Sequence, residues 1–447
     1  MKVYIKTYGC QMNERDSNAL GASLIQRGYE LTQKEKEADI LLFNTCSVRE
    51  QAELKAIGKV GILKKLKKEK PHIMIGMLGC MVQSKGAELL EKLPHLDFVI
   101  GTDQLHKLPD IIEKELNNRE QLSITDTNTD ISPNLSSHLE TNSVSDFIAI
   151  MRGCDMFCSY CIVPYVRGRE KSREISEIAD EARKLADKGI KEIMLLGQNV
   201  SAFGLNQNAK TRPTESPFAE LLIELNRVSG IERIRFISPH PFFFNDKLIN
   251  TIASCEKVCD NIHLPLQSGS DRILKLMNRR YDSAMYMDIV NKLKKLVPDI
   301  TFSTDVIVAF PGETQEDFNC SRNVMNEVGF DNAYIFKYSP RNGTPAAKYE
   351  DQIPQEVKEE RNQILLADLK ERTAKNNKLM EGRTFKILVE GPSQRNTERW
   401  CGRTTNNKVT VFDYNSSLKI GDIINVHIDR SSSMTLFGSI VNHELHE

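Results

Sequence analysis

Three thiols in one short loop constrain this chain more than any other feature. Met151-Arg-Gly-Cys-Asp-Met-Phe-Cys-Ser-Tyr-Cys161 spaces Cys154, Cys158 and Cys161 as Cys-x-x-x-Cys-x-x-Cys. The apolar run Phe147-Ile-Ala-Ile-Met151 leads into it and reads as a strand, so the loop after that strand can gather three sulfurs around one inorganic centre. Iron–sulfur clusters usually take four cysteines. A three-cysteine loop therefore leaves one iron of a 4Fe-4S cluster open to another ligand. The competing reading is a zinc knuckle, which needs a fourth Cys or His at short range. His240 and Cys255 are the first candidates downstream and both are distant.

The rest of the composition is that of an ordinary soluble chain. It has 447 residues, 40% hydrophobic and 27% charged, with a formal net charge of −1. That length suits roughly three domains. The charge balance excludes a global polyanion-binding surface and leaves only local ones. Met1-Lys-Val-Tyr-Ile-Lys6 reads as a strand and not a signal peptide, and no run reaches the length of a membrane span. A cytoplasmic protein is expected, in which ten cysteines are not a disulfide framework.

The second constraint comes from the first 117 residues. Strands are expected at 2–7, 38–43, 72–78 and 98–101, with helical stretches near 16–27, 49–68, 84–92 and 104–117. Such alternation implies a parallel α/β sheet. Cys10, Cys46 and Cys80 each fall just past a strand. The carboxyl ends of parallel strands share one edge, where ligands bind. Three thiols far apart in sequence thus converge, and a second three-cysteine cluster site is expected.

Residues 118–146 read as a linker, rich in turn formers, with one short strand near 121–125. Strands at 147–153, 192–197, 233–238, 261–267, 301–309 and 333–338, interleaved with helices, suggest a partial (β/α)6 barrel with its chemistry at the carboxyl strand ends. Residues 354–381 read as one bridging helix with a solvated charged face, closing a domain of 147–380. Four β-type runs at 384–390, 408–412, 422–428 and 435–441 place a small β-barrel in 381–447.

With both cysteine sets placed, the chain resembles the radical S-adenosylmethionine (SAM) methylthiotransferase family over nearly its whole length. The likeness rests on Thr7-Tyr-Gly-Cys-Gln-Met-Asn13, Asn44-Thr-Cys-Ser-Val-Arg-Glu50, Leu78-Gly-Cys80, Arg152 to Arg169, Leu195-Leu-Gly-Gln-Asn199, His263 to Asp271 and Phe310-Pro-Gly-Glu-Thr314. Cys401-Gly-Arg-Thr-Thr-Asn-Asn407 resembles part of a TRAM domain, an RNA-binding barrel. The resemblance implies two 4Fe-4S clusters. One, on Cys154, Cys158 and Cys161, binds and cleaves SAM; the other, on Cys10, Cys46 and Cys80, carries sulfur that a second SAM methylates. The Asn44 to Glu50 segment is most similar to the branch that methylthiolates C2 of N6-(dimethylallyl)adenosine at position 37 of tRNA. Sister branches act on N6-threonylcarbamoyladenosine of tRNA or on a ribosomal-protein aspartate. The non-enzyme alternative is a zinc-bearing RNA-binding protein. The resemblance further implies a tRNA anticodon loop as partner, an electron donor such as flavodoxin or ferredoxin, a sulfur source, no membrane, and a monomer.

Candidate SAM contacts at strand ends are Gln198, Asn199, Gln267, Ser268 and Gly312. His240 and His263 read as structural histidines, since radical chemistry there needs no strong base. Candidate RNA contacts are Arg167, Arg169 and Arg173 in the basic tail of the cluster loop, with Tyr165 for stacking, and Arg399 and Arg403 in the last domain. Cys255, Cys259, Cys320 and Cys401 lie outside both sets, and packing is their expected role.

Overall fold

A computed structural model of the chain describes residues 1–47, 50–118, 120–127, 138–139, 143–206 and 211–441. Val48 and Arg49, which contribute to the expected substrate branch, lie outside them, as do residues 119, 128–137 and 140–142 of the expected linker.

The N-terminal unit runs β1 (Lys2–Thr7), α1 (Gln11–Gln26), β2 (Glu30–Leu31), β3 (Ile40–Thr45), α2 (Glu50–Glu69), β4 (Met74–Gly79), α3 (Cys80–Lys92), β5 (Phe98–Ile100), α4 (Leu108–Asn118) and β6 (Leu122–Ile124). Its parallel sheet has the order β2-β1-β3-β4-β5-β6. β3 and β4 are buried along their whole length, as expected for central strands covered on both faces. The short strand in the expected linker is the sheet's outer member. β2 was not legible: two residues, Glu30 and Leu31, carry no periodicity.

Helices α1 and α3 begin earlier than their hydrophobic pattern suggests. Cys10 is the N-cap of α1 and Cys80 is the first residue of α3. The sulfurs therefore sit on the first turns of helices and not in loose loops.

The central unit runs β7 (Ser145–Ala149), β8 (Met151–Arg152), α5 (Val163–Val166), β9 (Lys171–Ser172), α6 (Ile175–Asp187), β10 (Glu192–Leu196), α7 (Pro217–Asn226), β11 (Arg233–Phe236), α8 (Asp246–Ser254), β12 (Asn261–His263), α9 (Asp271–Leu276), α10 (Ser283–Leu296), β13 (Thr301–Val308), α11 (Gln315–Val328), β14 (Asn332–Lys337) and α12 (Gln355–Lys378). Two parallel three-stranded sheets, β11-β10-β7 and β12-β13-β14, are joined by a parallel bridge between Ile234 and Val258. Six strands in sequential order make the expected partial barrel. One apolar cluster, from Ile148 to Leu369, fills the layer between strands and helices. The strand expected over 147–153 divides in two: β8 leaves the barrel and pairs antiparallel with β9, closing the cluster loop at its base.

α12 departs from the expected solvated helix. Arg361 on it is buried and pairs with buried Glu313 at 2.7 Å, and Lys358 donates to the Tyr338 carbonyl. Its charge run hides polar anchors to the barrel.

The last unit is a closed five-stranded barrel: β15 (Thr384–Pro392), β16 (Arg399–Thr404), β17 (Val409–Asp413), β18 (Ile423–Ser431) and β19 (Leu436–Ile440), in the order β15-β16-β17-β19-β18. β16 was missed because Arg399-Trp-Cys-Gly-Arg-Thr404 has no run of β-formers. The loop after it docks on the amino end of the central barrel. Arg235 donates to the carbonyls of Thr404 and Thr405 at 2.9 Å each, and Lys408 pairs with Asp331 at 2.8 Å.

Candidate active site

The N-terminal thiols meet because two glycines permit it. Gly9 and Gly79 have φ of +134° and +93°. A Cβ on Gly9 would lie 2.5 Å from Cys46 Cβ, and one on Gly79 would lie 2.6 Å from the Thr45 carbonyl while colliding with Asn44 Oδ1. Only glycine fits such an approach. The loops are then tied together by side-chain amides. Asn13 donates to the Thr45 carbonyl at 2.8 Å, and Asn44 donates to the Asn13 carbonyl at 2.9 Å. The sequence reading found the three cysteines but not this buried lattice; Asn13 and Asn44 were seen only as parts of motifs.

The lattice extends into the second domain. Asp16 on α1 accepts Arg152 at 2.9 Å and Arg167 at 3.2 Å, and Asn13 accepts Arg167 at 3.1 Å. Both arginines flank the central cluster loop. The Cys10 thiol is pulled down to about 5, first by a hydrogen bond from the Cys46 thiol and then, against its burial, by the Arg167 charge and the first-turn amides of α1. Burial pushes Cys80 upward.

The central triad has a different character. Cys154 and Cys158 are buried in an apolar pocket with Met156, Phe242 and Phe243. Burial raises Cys154 strongly and Cys161 to about 12. Thiols in such a place become thiolates only when a metal supplies the compensating charge. One cation attends them: Arg279 donates to Cys158 Sγ at 3.3 Å. Burial works against its charge and is outweighed by Tyr281, Tyr160 and Cys158, so it stays protonated. Arg279 was missed; Arg279-Arg280 after a helix carries no signal of its own in sequence.

Both triads open on one cavity of about 720 Å³ that continues down the barrel to the docked loop at Asn406. Two of its lining strand ends hold non-glycine residues in the left-handed region, Ser238 (φ 58°) and Gln267 (φ 64°), as does Ala309 (φ 56°) just past β13. Such backbone strain, worth about 1–3 kcal/mol each, gathers at functional sites.

The expected SAM contacts divide. Gln198, Asn199 and Gln267 line the cavity. Gln198 also accepts the Gly153 N–H at 2.7 Å, which fixes the base of the cluster loop. Asn199 Nδ2 is buried with no partner among the described residues. Ser268 and Gly312 are corrections. The Ser268 hydroxyl is buried between Ser321 and the Ser270 N–H, as a loop cap. Gly312 bonds to Asp351 and accepts from Arg272, outside the cavity lining. His240, read as structural, also lines the cavity. Its Nδ1 accepts the Phe242 N–H, which places the proton on Nε2, and that atom has no partner among the described residues. Burial, then Arg279 and Arg280, holds the ring well below its usual range, so it is a neutral donor.

The expected RNA contacts divide too. Arg167 is 7% exposed and committed to Asp16 and Asn13; Arg173 donates to the Ala149 carbonyl and pairs with Glu181 at 2.7 Å. Neither is a surface phosphate contact. Arg169 stays at the surface, paired with Asp155 and 5.4 Å above the Phe157 ring, with exposed Tyr165 edge-on to that ring. Arg399 pairs with exposed Asp413, and Arg403 pairs with Glu390 while lining the cavity. Trp400 stacks on Tyr414 at 5.0 Å. Cys255 and Cys259 are buried as expected, while Cys320 is exposed.

The donor chemistry can be tested for fit. Each triad is all sulfur and faces an open space. Among the described residues no three Cys, His, Asp or Glu side chains close around a single ion. Three thiols with no fourth protein ligand beside them among the described residues suit a four-iron cluster that keeps one iron open.

The fold and the triads define a two-centre radical SAM protein with an appended β-barrel, and comparison with known proteins agrees. Residues 2–101 match the uncharacterized protein family UPF0004, 148–319 the Radical SAM superfamily and 378–441 the TRAM domain. The chain belongs to the tRNA-2-methylthio-N(6)-dimethylallyladenosine synthase family. A member from Akkermansia muciniphila is 45% identical over 98% of each chain, and one from Clostridium botulinum is 46% identical over 97% of this chain and 96% of its own. Among solved structures, the radical S-adenosylmethionine methyltransferase TsrM from Kitasatospora setae shares the fold. Its TM-score is 0.56 with 12% identity, over 77% of each chain. No helix among the described residues is long and apolar enough to cross a membrane.

Proposed function

We propose that the chain adds a methylthio group to C2 of N6-(dimethylallyl)adenosine at position 37 of tRNA, beside the anticodon. The observation that carries this reading is the meeting of two open three-thiol sets on one cavity of about 720 Å³. Cys154, Cys158 and Cys161 would hold one 4Fe-4S cluster, and Cys10, Cys46 and Cys80 a second. When bound, these centres and SAM supply one-electron cleavage of SAM at the first site, and sulfur carriage with methylation by a second SAM at the other.

The chain's own part is positioning. A cluster held by Cys154, Cys158 and Cys161 would keep one iron without a protein ligand, free for the methionine amino and carboxylate groups of SAM. The Asn199 amide and the His240 Nε2–H offer buried donors in the same cavity. Arg279 balances the negative charge of the first triad. Leu196, Phe236 and Pro239 line the wall between strand ends, where they exclude water and suit an isoprenyl group. His263, bonded to Ser303 at 3.1 Å and Asp305 at 3.3 Å, lines the same cavity.

Arg169, Tyr165 and Phe157 offer a cationic and stacking surface for the anticodon loop beside the first triad, and the TRAM barrel adds Arg399 and Arg403. An electron donor such as flavodoxin or ferredoxin and a sulfur source complete the partners of a cytoplasmic monomer. The dimethylallyl substrate is favoured over the threonylcarbamoyl one by the names of the full-length relatives.

The test is anaerobic incubation of protein, SAM, reductant and sulfide with tRNA carrying either nucleoside, followed by mass spectrometry. A 2-methylthio product from dimethylallyladenosine alone is expected. A product from threonylcarbamoyladenosine alone would overturn the substrate assignment.

A further inference from the structure

The thiol loop of the central domain is gripped from behind by one short segment. The Ser159 N–H donates to the Met277 carbonyl at 3.0 Å, and the Ser159 hydroxyl to the Leu276 carbonyl at 2.8 Å. Asn278, left-handed at φ 57°, turns the chain after α9 and donates to the Phe157 carbonyl at 3.0 Å. Asn visits that conformation more readily than most residues with a side chain. The turn delivers Arg279 to the sulfur side of the loop, where it donates to Cys158 Sγ at 3.3 Å and lines the cavity.

Each sulfur of this triad has a donor at hand. Cys154 accepts the Met156 N–H and Cys161 the Val163 N–H. Of these three donors only Arg279 carries a charge, and a guanidinium keeps it at any working pH. A second contact fixes it. Its Nε donates to the buried Tyr281 hydroxyl at 3.3 Å, which itself donates to the Leu266 carbonyl at 2.8 Å. Cys154 and Cys158 pack with Met156, Phe242 and Phe243, so the charge acts through a weakly screening medium.

Reduction of a cluster on Cys154, Cys158 and Cys161 adds one electron and one negative charge, and makes or breaks no bond in the protein. A fixed cation bonded to a ligand sulfur stabilises the reduced form more than the oxidised one. Hydrogen bonds to the sulfurs and local charge set the potentials of such clusters. We infer that Arg279 is a positioning residue that acts through Cys158 Sγ to raise the reduction potential of this cluster, bringing it within reach of an external electron donor such as flavodoxin. The inference rests on the reading of that triad as the SAM-cleaving site.

The test is an anaerobic redox titration of the iron-loaded full-length protein by electron paramagnetic resonance. It follows the reduced-cluster signal that changes when SAM is added, which assigns that signal to the central triad. Wild type, Arg279→Lys and Arg279→Gln are compared, with iron per chain as the loading control. The midpoint should shift downward in Arg279→Gln. It should shift less in Arg279→Lys, which keeps the charge but lacks the fork. In the same proteins, 5′-deoxyadenosine formation driven by reduced flavodoxin should drop in Arg279→Gln and recover with titanium(III) citrate, a stronger reductant. A merely structural role would give no such recovery. An unchanged midpoint in both variants, or a loss that titanium(III) citrate does not restore, would overturn the role of Arg279. If Arg279→Gln fails to load iron, Arg279→Lys decides, and a wild-type midpoint there overturns the proposal. A wild type with no SAM-responsive signal would instead remove the reading of the triad on which the inference stands.

Discussion

Asp16 accepts the Arg152 guanidinium at 2.9 Å across the boundary between the two cysteine-bearing domains. Both side chains are largely buried, and the second carboxylate oxygen holds Arg167. Removing one partner of a buried pair costs about 3–5 kcal/mol, because the other charge is left unpaired. Asp16→Ala should therefore uncouple the domains. Denaturant unfolding followed by domain-specific probes should separate into two transitions where the wild type shows closer coupling. Unchanged transitions would remove the carboxylate from the interface.

Gly79 is a second point of failure. Its φ of +93° and the 2.6 Å approach of an added Cβ to the Thr45 carbonyl leave no room for a methyl group. Gly79→Ala should distort the Cys46 and Cys80 loops while leaving the central loop intact. Iron per chain should fall from about eight towards about four, the content of a single four-iron cluster. Full iron content in this variant would show that the convergence does not depend on the glycine.

His138 gives the expected pH dependence. It lies between Asp146 at 2.8 Å and Glu181 at 2.7 Å. Burial alone would lower its pKa, but the two carboxylates outweigh it and the net shift is upward. A histidine raised on folding adds stability that is fully present below the ordinary value near 6.5 and is lost as pH rises through the raised one. Thermal stability should decline over that window, and His138→Gln should flatten the decline.

Arg169 and Arg173 should separate binding from structure. Arg169 is exposed, whereas Arg173 is tied to Glu181 and the Ala149 carbonyl. Arg169→Ala should weaken tRNA binding and reduce the salt slope by about one. Arg173→Ala should lower stability and leave the salt slope alone. The opposite pattern would place the RNA on the other side of the loop.

Both cysteine triads, the parallel sheet and the six-stranded partial barrel were legible because each rests on short-range pattern. Apolar runs give strands, and a cysteine just after each run gives the edge. What escaped was set by contacts distant in sequence. Arg167 reads as a surface cation among like charges, and only the packing of α5 against the N-terminal domain turns it inward. Ser268 and Gly312 sit in loops of the right kind, but the loop geometry turns them towards Ser321 and Asp351. Arg279 and His240 gain their roles from the pocket around Cys158, which no local spacing announces. β16 is held by its barrel neighbours and not by propensity.

The division of labour between the triads is tested most directly by comparing Cys80→Ala with Cys158→Ala in one assay that measures both SAM cleavage and methylthio product. Cys158→Ala should abolish both. Cys80→Ala should keep cleavage, seen as 5′-deoxyadenosine, and lose the methylthio product. Loss of cleavage in both variants, with the fold and the other cluster's iron intact, would contradict it.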